Sequence, residues 1–574
     1  MKFDRIYSKL LSIPDISTVI NGNEGEVEIR IKPENKLKWA YFTEHVEEEI
    51  PLMGVISTDT RVRFLFPEDE TVRDAAIETF RKLLDKKYYL IEKPPTEKIT
   101  VICKITNLCN LDCQYCYDRP FRDKIGHNKK LTLEEIDKVL DMTTRHARAV
   151  DWIFHGGEPS LVGLDYYRKI FSDIIPKYPY AEFDFAMQTN GTLLNKEWFE
   201  FAKEVGLNIG SSYSAKSEEH RETKEDNESV KNNESIFDVI PKIKEAKEMD
   251  YHIGVIDVVT KENMPMMIER YEFYKKEGLS VSFNQVEETG EAENYDFIFR
   301  SGKDKRFYLD AATDYFAYWL NDKECIDDRY ASMYAEMLLT GNCGTCNYGC
   351  ECLTKWFGIN SNADIYPCDR PLGEKYRMGN LHDFNSIVEI FDTPQYKNFI
   401  DERHEKKNNY CSNCIAKNYC SGGCPLVDID KHDSAAIPNY YSCTMMKLNL
   451  TAMFRALMRT DIDKCNHLIR DFIVANSCVL PNEIPLLLKA LNLEDKLSGY
   501  NFSSKTAKLN SKEFELFKIF NSPEHEERLE PCVWGLSDCE EPAKQKDAEK
   551  RLSEVIRLLE ERYKEIVRQI HTNE

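Results

Sequence analysis

Three cysteines in TNLCNLDCQYCYDRP, namely Cys109, Cys113 and Cys116, form a Cys-x3-Cys-x2-Cys array on one short segment. Thiolates so spaced can bind three irons of a 4Fe-4S cube, since iron–sulfur clusters are held by cysteine thiolates. The fourth iron is then left without a protein ligand, and an open metal position belongs to a catalytic site rather than a closed structural one. A structural zinc site would want a fourth ligand, for which the neighbours Asp112 and Tyr115 are poor choices. A second array, Cys411-x2-Cys414-x5-Cys420-x3-Cys424 followed by Cys443, offers thiolates enough for one or two zinc cages or for closed iron–sulfur clusters. Upstream of it stand Cys343, Cys346, Cys350 and Cys352 and, after WFGINSNADIYP, the pair Cys368-Asp369.

These groups account for most of the 19 cysteines in 574 residues. Ten lie between Cys343 and Cys443, residues 1–102 contain none, and Cys465, Cys478, Cys532 and Cys539 are scattered beyond. No apolar run approaches the ~18 residues of a membrane span. The start, MKFDRIYSKLLSIPDIS, lacks the apolar core of a signal peptide. The expectation is a cytoplasmic protein with no membrane partner, in which clustered cysteines serve metal or redox chemistry rather than disulfides. Acidic residues outnumber basic ones by 99 to 77, giving a net charge of −22, which disfavours nucleic acid as a partner.

The elements that must position these residues follow from periodicity. Alternation in EVEIRIKP (26–33) and RVRFLFP (61–67) predicts two strands, and 70–86 predicts a helix with Val72, Ala75, Ala76, Phe80 and Leu83 on its apolar face. Glu92-Lys93-Pro94-Pro95 reads as a linker. From residue 98, short buried strands alternate with helices: 99–106, 150–155, 182–188, 207–212, 252–259 and 279–285. Thr132 and Glu135 form a capping box ahead of one of these helices. The pattern predicts an α/β fold with six parallel strands, as an open sheet or partial barrel whose chemistry gathers at the C-terminal strand ends. Residues 217–235 read as a solvated charged loop, with a substrate-ordered lid as the sharper alternative. Residues 301–342 read as helical, 343–450 as a loop-rich cysteine region and 451–574 as a helical extension. Its last helix carries an apolar stripe through Leu552, Val555, Ile556, Leu559, Tyr563, Ile566 and Ile570. Cys103, inside the first core strand, reads as a buried structural thiol, and Cys532 and Cys539 as ordinary thiols.

Further motifs sit at the predicted strand ends. His155-Gly156-Gly157-Glu158-Pro159 follows the second core strand, Gln188-Thr189-Asn190-Gly191 the third, and Ser212 ends the fourth. Together with the three cysteines they resemble the radical S-adenosyl-L-methionine (SAM) superfamily, a partial (β/α)6 TIM-like barrel in which the open iron chelates the methionine moiety. The paired glycines Gly156 and Gly157 let the backbone approach a ligand closely, and the resemblance implies that Glu158 accepts a hydrogen bond from the SAM ammonium, that Gln188, Asn190 and Ser212 lie on its ribose or sulfonium side, and that Tyr117 lies near the adenine. It departs at Ser212-Tyr213-Ser214-Ala215, where the family often has Ser-x-Asp-Gly, and at Lys224, which aligns with a usual arginine.

The second array resembles the SPASM domain, an auxiliary-cluster extension found in radical SAM enzymes that modify peptides and proteins. By this resemblance Cys346, Cys352, Cys368 and Cys424 hold one 4Fe-4S cluster, and Cys411, Cys414, Cys420 and Cys443 a second. That makes three 4Fe-4S clusters in all. Cys346 and Cys352 are chosen on spacing, leaving Cys343 and Cys350 spare. Asp369 matches the proposed base of anaerobic sulfatase-maturing relatives.

The implied organisation is an N-terminal α+β unit at 1–97, a radical SAM core at 98–300, a helical linker at 301–342, a SPASM region at 343–450 and a helical extension at 451–574. The implied activity is oxidation of a peptide or protein substrate through a 5′-deoxyadenosyl radical, with a flavodoxin- or ferredoxin-type electron donor. The leading expectation is a maturase that installs a thioether or carbon–carbon crosslink in a ribosomally made peptide, captured by strand addition at the N-terminal unit. Formylglycine formation, and a non-catalytic iron–sulfur electron carrier, are the alternatives.

Overall fold

The computed structural model describes residues 2–14, 16–21, 25–122, 129–215, 239–340, 352, 355–369, 374–412, 420, 422–459 and 466–468. The charged segment 217–235, Lys224, the C-terminal stripe, and Cys343, Cys346, Cys350, Cys414, Cys465, Cys478, Cys532 and Cys539 lie outside the described residues.

Alternating side chains build the first sheet from β1 (Ile16–Asn21), β2 (Glu26–Ile31), β3 (Gly54–Ser57) and β4 (Arg61–Leu65), antiparallel in the order β1-β2-β4-β3. Val27, Ile29, Ile31, Val62 and Phe64 are buried in it, and Glu28 is buried as well. The helices Lys36–Glu49 and Glu70–Lys86 contribute aromatic edges, with Phe42 5.6 Å from Phe80 and 6.2 Å from Phe64. The second helix runs as its periodicity predicts, started by Asp69, whose side chain accepts from Val72 N at 3.0 Å. Its buried stripe is Ala76, Ile77, Phe80, Leu83 and Leu84, while Val72 and Ala75, expected on the apolar face, are exposed. Two strands and two helices (Lys2–Leu11 and Lys36–Glu49) more than expected appear here; among the strands, half of β1 is polar and β3 is only four residues long.

All six predicted core strands form: β5 (Thr96–Thr106), β6 (Ala147–Gly156), β7 (Glu182–Thr189), β8 (Leu207–Ser212), β9 (Gly254–Val259) and β10 (Val281–Gln285). They are parallel and lie in chain order, so their C-terminal ends share one side of the sheet. The capping box is present, with Glu135 N donating to Thr132 Oγ1 at 3.1 Å and Thr132 N to Glu135 Oε2 at 2.7 Å. The sheet does not close on itself. It continues past β5 into β11 (Trp356–Ile359), β12 (Asp364–Tyr366) and β13 (Gly379–Asn380). Strand β11 pairs parallel with β5, from Trp356 opposite Thr100 to Ile359 opposite Cys103. The cysteine-rich region is therefore stitched into the core sheet. Cys103 is fully buried, as expected, and burial pushes its thiol pKa far up. The helical stretch after the sheet divides into Gly302–Asn321 and Arg329–Thr340, and the first of these packs on the helix Tyr440–Arg459.

Gly358 fixes how closely the chain returns after β12. A Cβ there would lie 1.7 Å from the Cys368 carbonyl oxygen. Gly358→Ala should therefore displace the Cys368 segment and destabilise the protein by about 1–3 kcal/mol. Gly254→Ala, where a Cβ meets nothing within 4 Å, is the matched control; equal denaturant midpoints for the two variants would refute the close-packing argument.

Candidate active site

The site lies at the C-terminal ends of β5 to β8. The loop after β5 carries Cys109, Cys113 and Cys116, all partly exposed. Its entry is fixed by Gly156 and Gly157. A Cβ on Gly156 would lie 2.3 Å from Thr106 O, and one on Gly157 2.1 Å from Leu108 O. The paired glycines thus admit the protein's own backbone, with Gly157 N donating to Thr106 O at 2.9 Å and Glu158 N to Leu108 O at 2.6 Å. The exit of the loop is held by the turn after β10. Glu291 N donates to Cys116 O at 3.1 Å, and Gly290, at φ +60, would clash with Tyr117 if it carried a Cβ.

Glu158 is fully buried, and burial raises its pKa against the hydrogen bonds that lower it. Its Oε1 accepts from Ser160 N at 3.0 Å, from Thr189 Oγ1 at 2.6 Å and from the Ser160 hydroxyl. Its Oε2 accepts from Asn190 N at 2.7 Å. The carboxylate braces β6 against β7, and Oε2 keeps a lone pair in reserve. Asn190 Nδ2 donates to Asn110 Oδ1 at 2.9 Å, and Asn110 Nδ2 donates to Thr192 Oγ1 at 2.9 Å. Asn110 therefore pins the cysteine loop to the end of β7. Sequence reasoning passed over it, although its place directly after Cys109 was the available signal. Gln188 Nε2 donates to Ser212 Oγ at 3.4 Å, joining two residues that the resemblance assigns to one side of SAM.

Behind the loop, Lys104 and Asp118 form a buried ion pair, with the Lys104 ammonium 5.7 Å from the centre of the Tyr117 ring. The Tyr117 hydroxyl donates to Asp369 Oδ2, and Cys368 Sγ to Asp369 Oδ1 at 3.1 Å. One carboxylate thus links the first cysteine loop to a cysteine of the second group. His155 stands beside them, its ring 6.4 Å from that of Tyr117, and burial lowers its pKa.

The second group is held by a buried pair, Lys406 and Asp428. Asp428 Oδ1 also accepts from Asn439 N at 2.6 Å, and Asn439 O accepts from Cys443 N at 3.0 Å. This chain joins the helix Pro394–Lys406, which leads to Cys411, to the helix Pro425–His432, which begins at Cys424, and to the helix bearing Cys443. Cys420 packs against Gly423, whose φ is +70. Cys352 lies beside β11, bridged to Trp356.

The donor set suits iron–sulfur clusters. Leu111 N donates to Cys109 Sγ at 3.4 Å, which favours the thiolate. Among the described residues, no three His, Cys, Asp or Glu converge on a point suited to a single metal ion. Thiolates on a cube each bind a different iron and need no such convergence.

Asn110→Ala should loosen the loop without removing a thiolate. The expected outcome is weaker SAM binding by about tenfold, from roughly one or two lost hydrogen bonds, with iron content unchanged. Unaltered SAM affinity by calorimetry would contradict the pinning role.

A model described as the radical SAM superfamily matches residues 103–285, and one described as SPASM, an iron-sulfur cluster-binding domain, matches residues 350–415. The cysteine-type anaerobic sulfatase-maturating enzyme of Clostridium perfringens is 26% identical over 351 residues, covering 58% of this chain and 90% of that protein. The radical SAM cyclopropyl synthase TigE of Paramaledivibacter caminithermalis is 20% identical over 407 residues, 68% of this chain and 81% of that protein. The solved structure of native anSMEcpe with bound AdoMet and Cp18Cys peptide shares the fold, at TM-score 0.53 and 23% identity over 65% of this chain and 99% of that chain. Strand-end cysteines, sheet topology and both matches agree that this chain carries a radical SAM domain followed by a SPASM domain.

Proposed function

We propose that this radical SAM protein is a peptide maturase that oxidises a ribosomally made peptide and installs a thioether or carbon–carbon crosslink. The observation that carries the reading is the Tyr117–Asp369 hydrogen bond, which sets a carboxylate between the first cysteine loop and Cys368. A two-electron oxidation of a peptide must dispose of one hydrogen atom, one proton and one electron, and the site has a place for each.

When bound, the first cluster and SAM supply hydrogen-atom abstraction from a substrate carbon. The chain's own residues do the rest. Cys109, Cys113 and Cys116 hold that cluster with one iron open to SAM. Glu158 Oε2, Gln188, Asn190 and Ser212 orient SAM, and Gly156 and Gly157 keep the cluster loop against β6. Asp369, oriented by the Tyr117 hydroxyl, accepts the substrate's sulfur, oxygen or nitrogen proton. Cys346, Cys352, Cys368 and Cys424 would hold one auxiliary cluster and Cys411, Cys414, Cys420 and Cys443 a second, and such clusters would supply an acceptor for the remaining electron. A flavodoxin- or ferredoxin-type donor primes the first cluster.

The N-terminal sheet supports a peptide substrate. It lies ahead of the matched region and ends in the edge strands β1 and β3, where a leader segment can add a strand. A second reading, formylglycine formation, is favoured by the relatives named cysteine-type and serine-type anaerobic sulfatase-maturating enzymes. Asp369 serves that reaction equally.

Anaerobic reconstitution should give about twelve iron per chain, four for each of three cubes; about four, with zinc bound, would refute the auxiliary clusters. Alanine at Cys109, Cys113 and Cys116 should abolish 5′-deoxyadenosine release. Tyr117→Phe should slow product formation by about 10²-fold while deoxyadenosine is still released, as expected of a misoriented base. Mass spectrometry of the treated peptide separates the two readings. Loss of about two hydrogens with a crosslink supports the first, and conversion of Cys or Ser to an aldehyde supports the second.

A further inference from the structure

A cube held by four thiolates is an anion, and a charge drawn partly out of water is costly unless opposite charges or hydrogen bonds compensate it. The helix Pro394–Lys406 brings two cations to the second cysteine group. Arg403 and Lys406 lie one turn apart on it and are 7% and 3% exposed, and the buried Asp428 carboxylate feels both charges. Lys406 is matched by Asp428. The Arg403 guanidinium lies 5.8 Å from the centre of the Phe399 ring, with Nη1 4.0 Å from Cys352 Sγ. Phe399 is fully buried, so the arginine is held against an apolar face with its charged end toward a sulfur.

We propose that Arg403 tunes the auxiliary cluster held through Cys352, favouring its reduced form. Reduction adds one negative charge to the cluster. A cation fixed beside a ligand sulfur stabilises that added charge, and hydrogen bonds to cluster sulfurs are among the determinants of potential. Arginine suits the task because its charge persists at every working pH and its planar group stacks on an aromatic ring. The electron leaves the substrate radical and arrives on the cluster, with no proton taken up by Arg403. Its role is positioning and electrostatic, and Lys406–Asp428 keeps its helix in place. The inference rests on the reading of Cys352 as a cluster ligand.

The test is a potentiometric titration of the reconstituted full-length holoenzyme, followed by electron paramagnetic resonance. Arg403→Gln should retain full iron and make reduction of one auxiliary couple at least tenfold less favourable, which is about 59 mV for one electron. The other two couples should stay unchanged, and Arg403→Lys should recover most of the shift. An unchanged potential with full iron overturns the inference, as does a common shift of all three couples. Loss of about four iron from both variants with a lowered melting temperature also overturns it, making Arg403 a packing residue. Cys352→Ala tests the underlying reading separately. If it retains full iron with an unaltered cluster signal, the ligand assignment fails. If it loses about four iron while Arg403→Gln leaves every potential unchanged, only the tuning role fails.

Discussion

The pairing of β5 with β11 sets where the chemistry can lie. Strand β5 is hydrogen-bonded along both edges, to β6 on one side and β11 on the other. Ile359 sits opposite Cys103, six residues before the first cysteine of the cluster loop. A parallel strand in that register must discharge its following turn on the same side of the sheet as the loop after β5. The chain then returns through β12, packs against Gly358 and delivers Cys368 and Asp369 to Tyr117. A slip of one residue would exchange the two faces of β11 and move Cys368 with it.

On that frame the cluster loop is rigid for local reasons. Backbone hydrogen bonds from Gly157 and Glu158 hold its entry, the Asn110–Asn190–Thr192 network holds its middle, and the turn at Gly290 holds its exit. Buried Lys104–Asp118 supports it from behind. For the proposed radical chemistry such restraint is an advantage, because small displacements of reacting groups cost large factors in rate. Glu158 is spent largely on this scaffold, its buried carboxylate accepting from the turn after β6 and from the end of β7.

Much of this was legible in the residues. The strand ends carrying cysteines, GGEP and QTNG were readable because buried parallel strands give short apolar runs and because these motifs are punctuated by glycine. Thr132 and Glu135 announced a helix start through chemistry local to four residues. What escaped was non-local or weakly patterned. Strand β3 is too short to show a period, Val72 faces solvent although it continues an apolar spacing, and β11 reads as a turn until β5 offers it an edge. Asn110 and the Tyr117–Asp369 bond depend on segments as much as 252 residues apart, which no local pattern encodes. The glycines of GGEP were expected to make room for a ligand, and they make room first for the loop that holds the cluster cysteines.

Cys103 and Cys109 sit six positions apart on one strand and its loop, yet they are chemically unlike. Sealed in the sheet, Cys103 keeps its proton, and burial pushes the pKa of Cys325, just after the helix Gly302–Asn321, up to about 11. Since iron binds the thiolate and not the thiol, burial decides which sulfurs are visible to an incoming metal. In a chain so rich in cysteine, burial of this kind leaves Cys103 and Cys325 as poor competitors for iron beside the partly exposed loop cysteines.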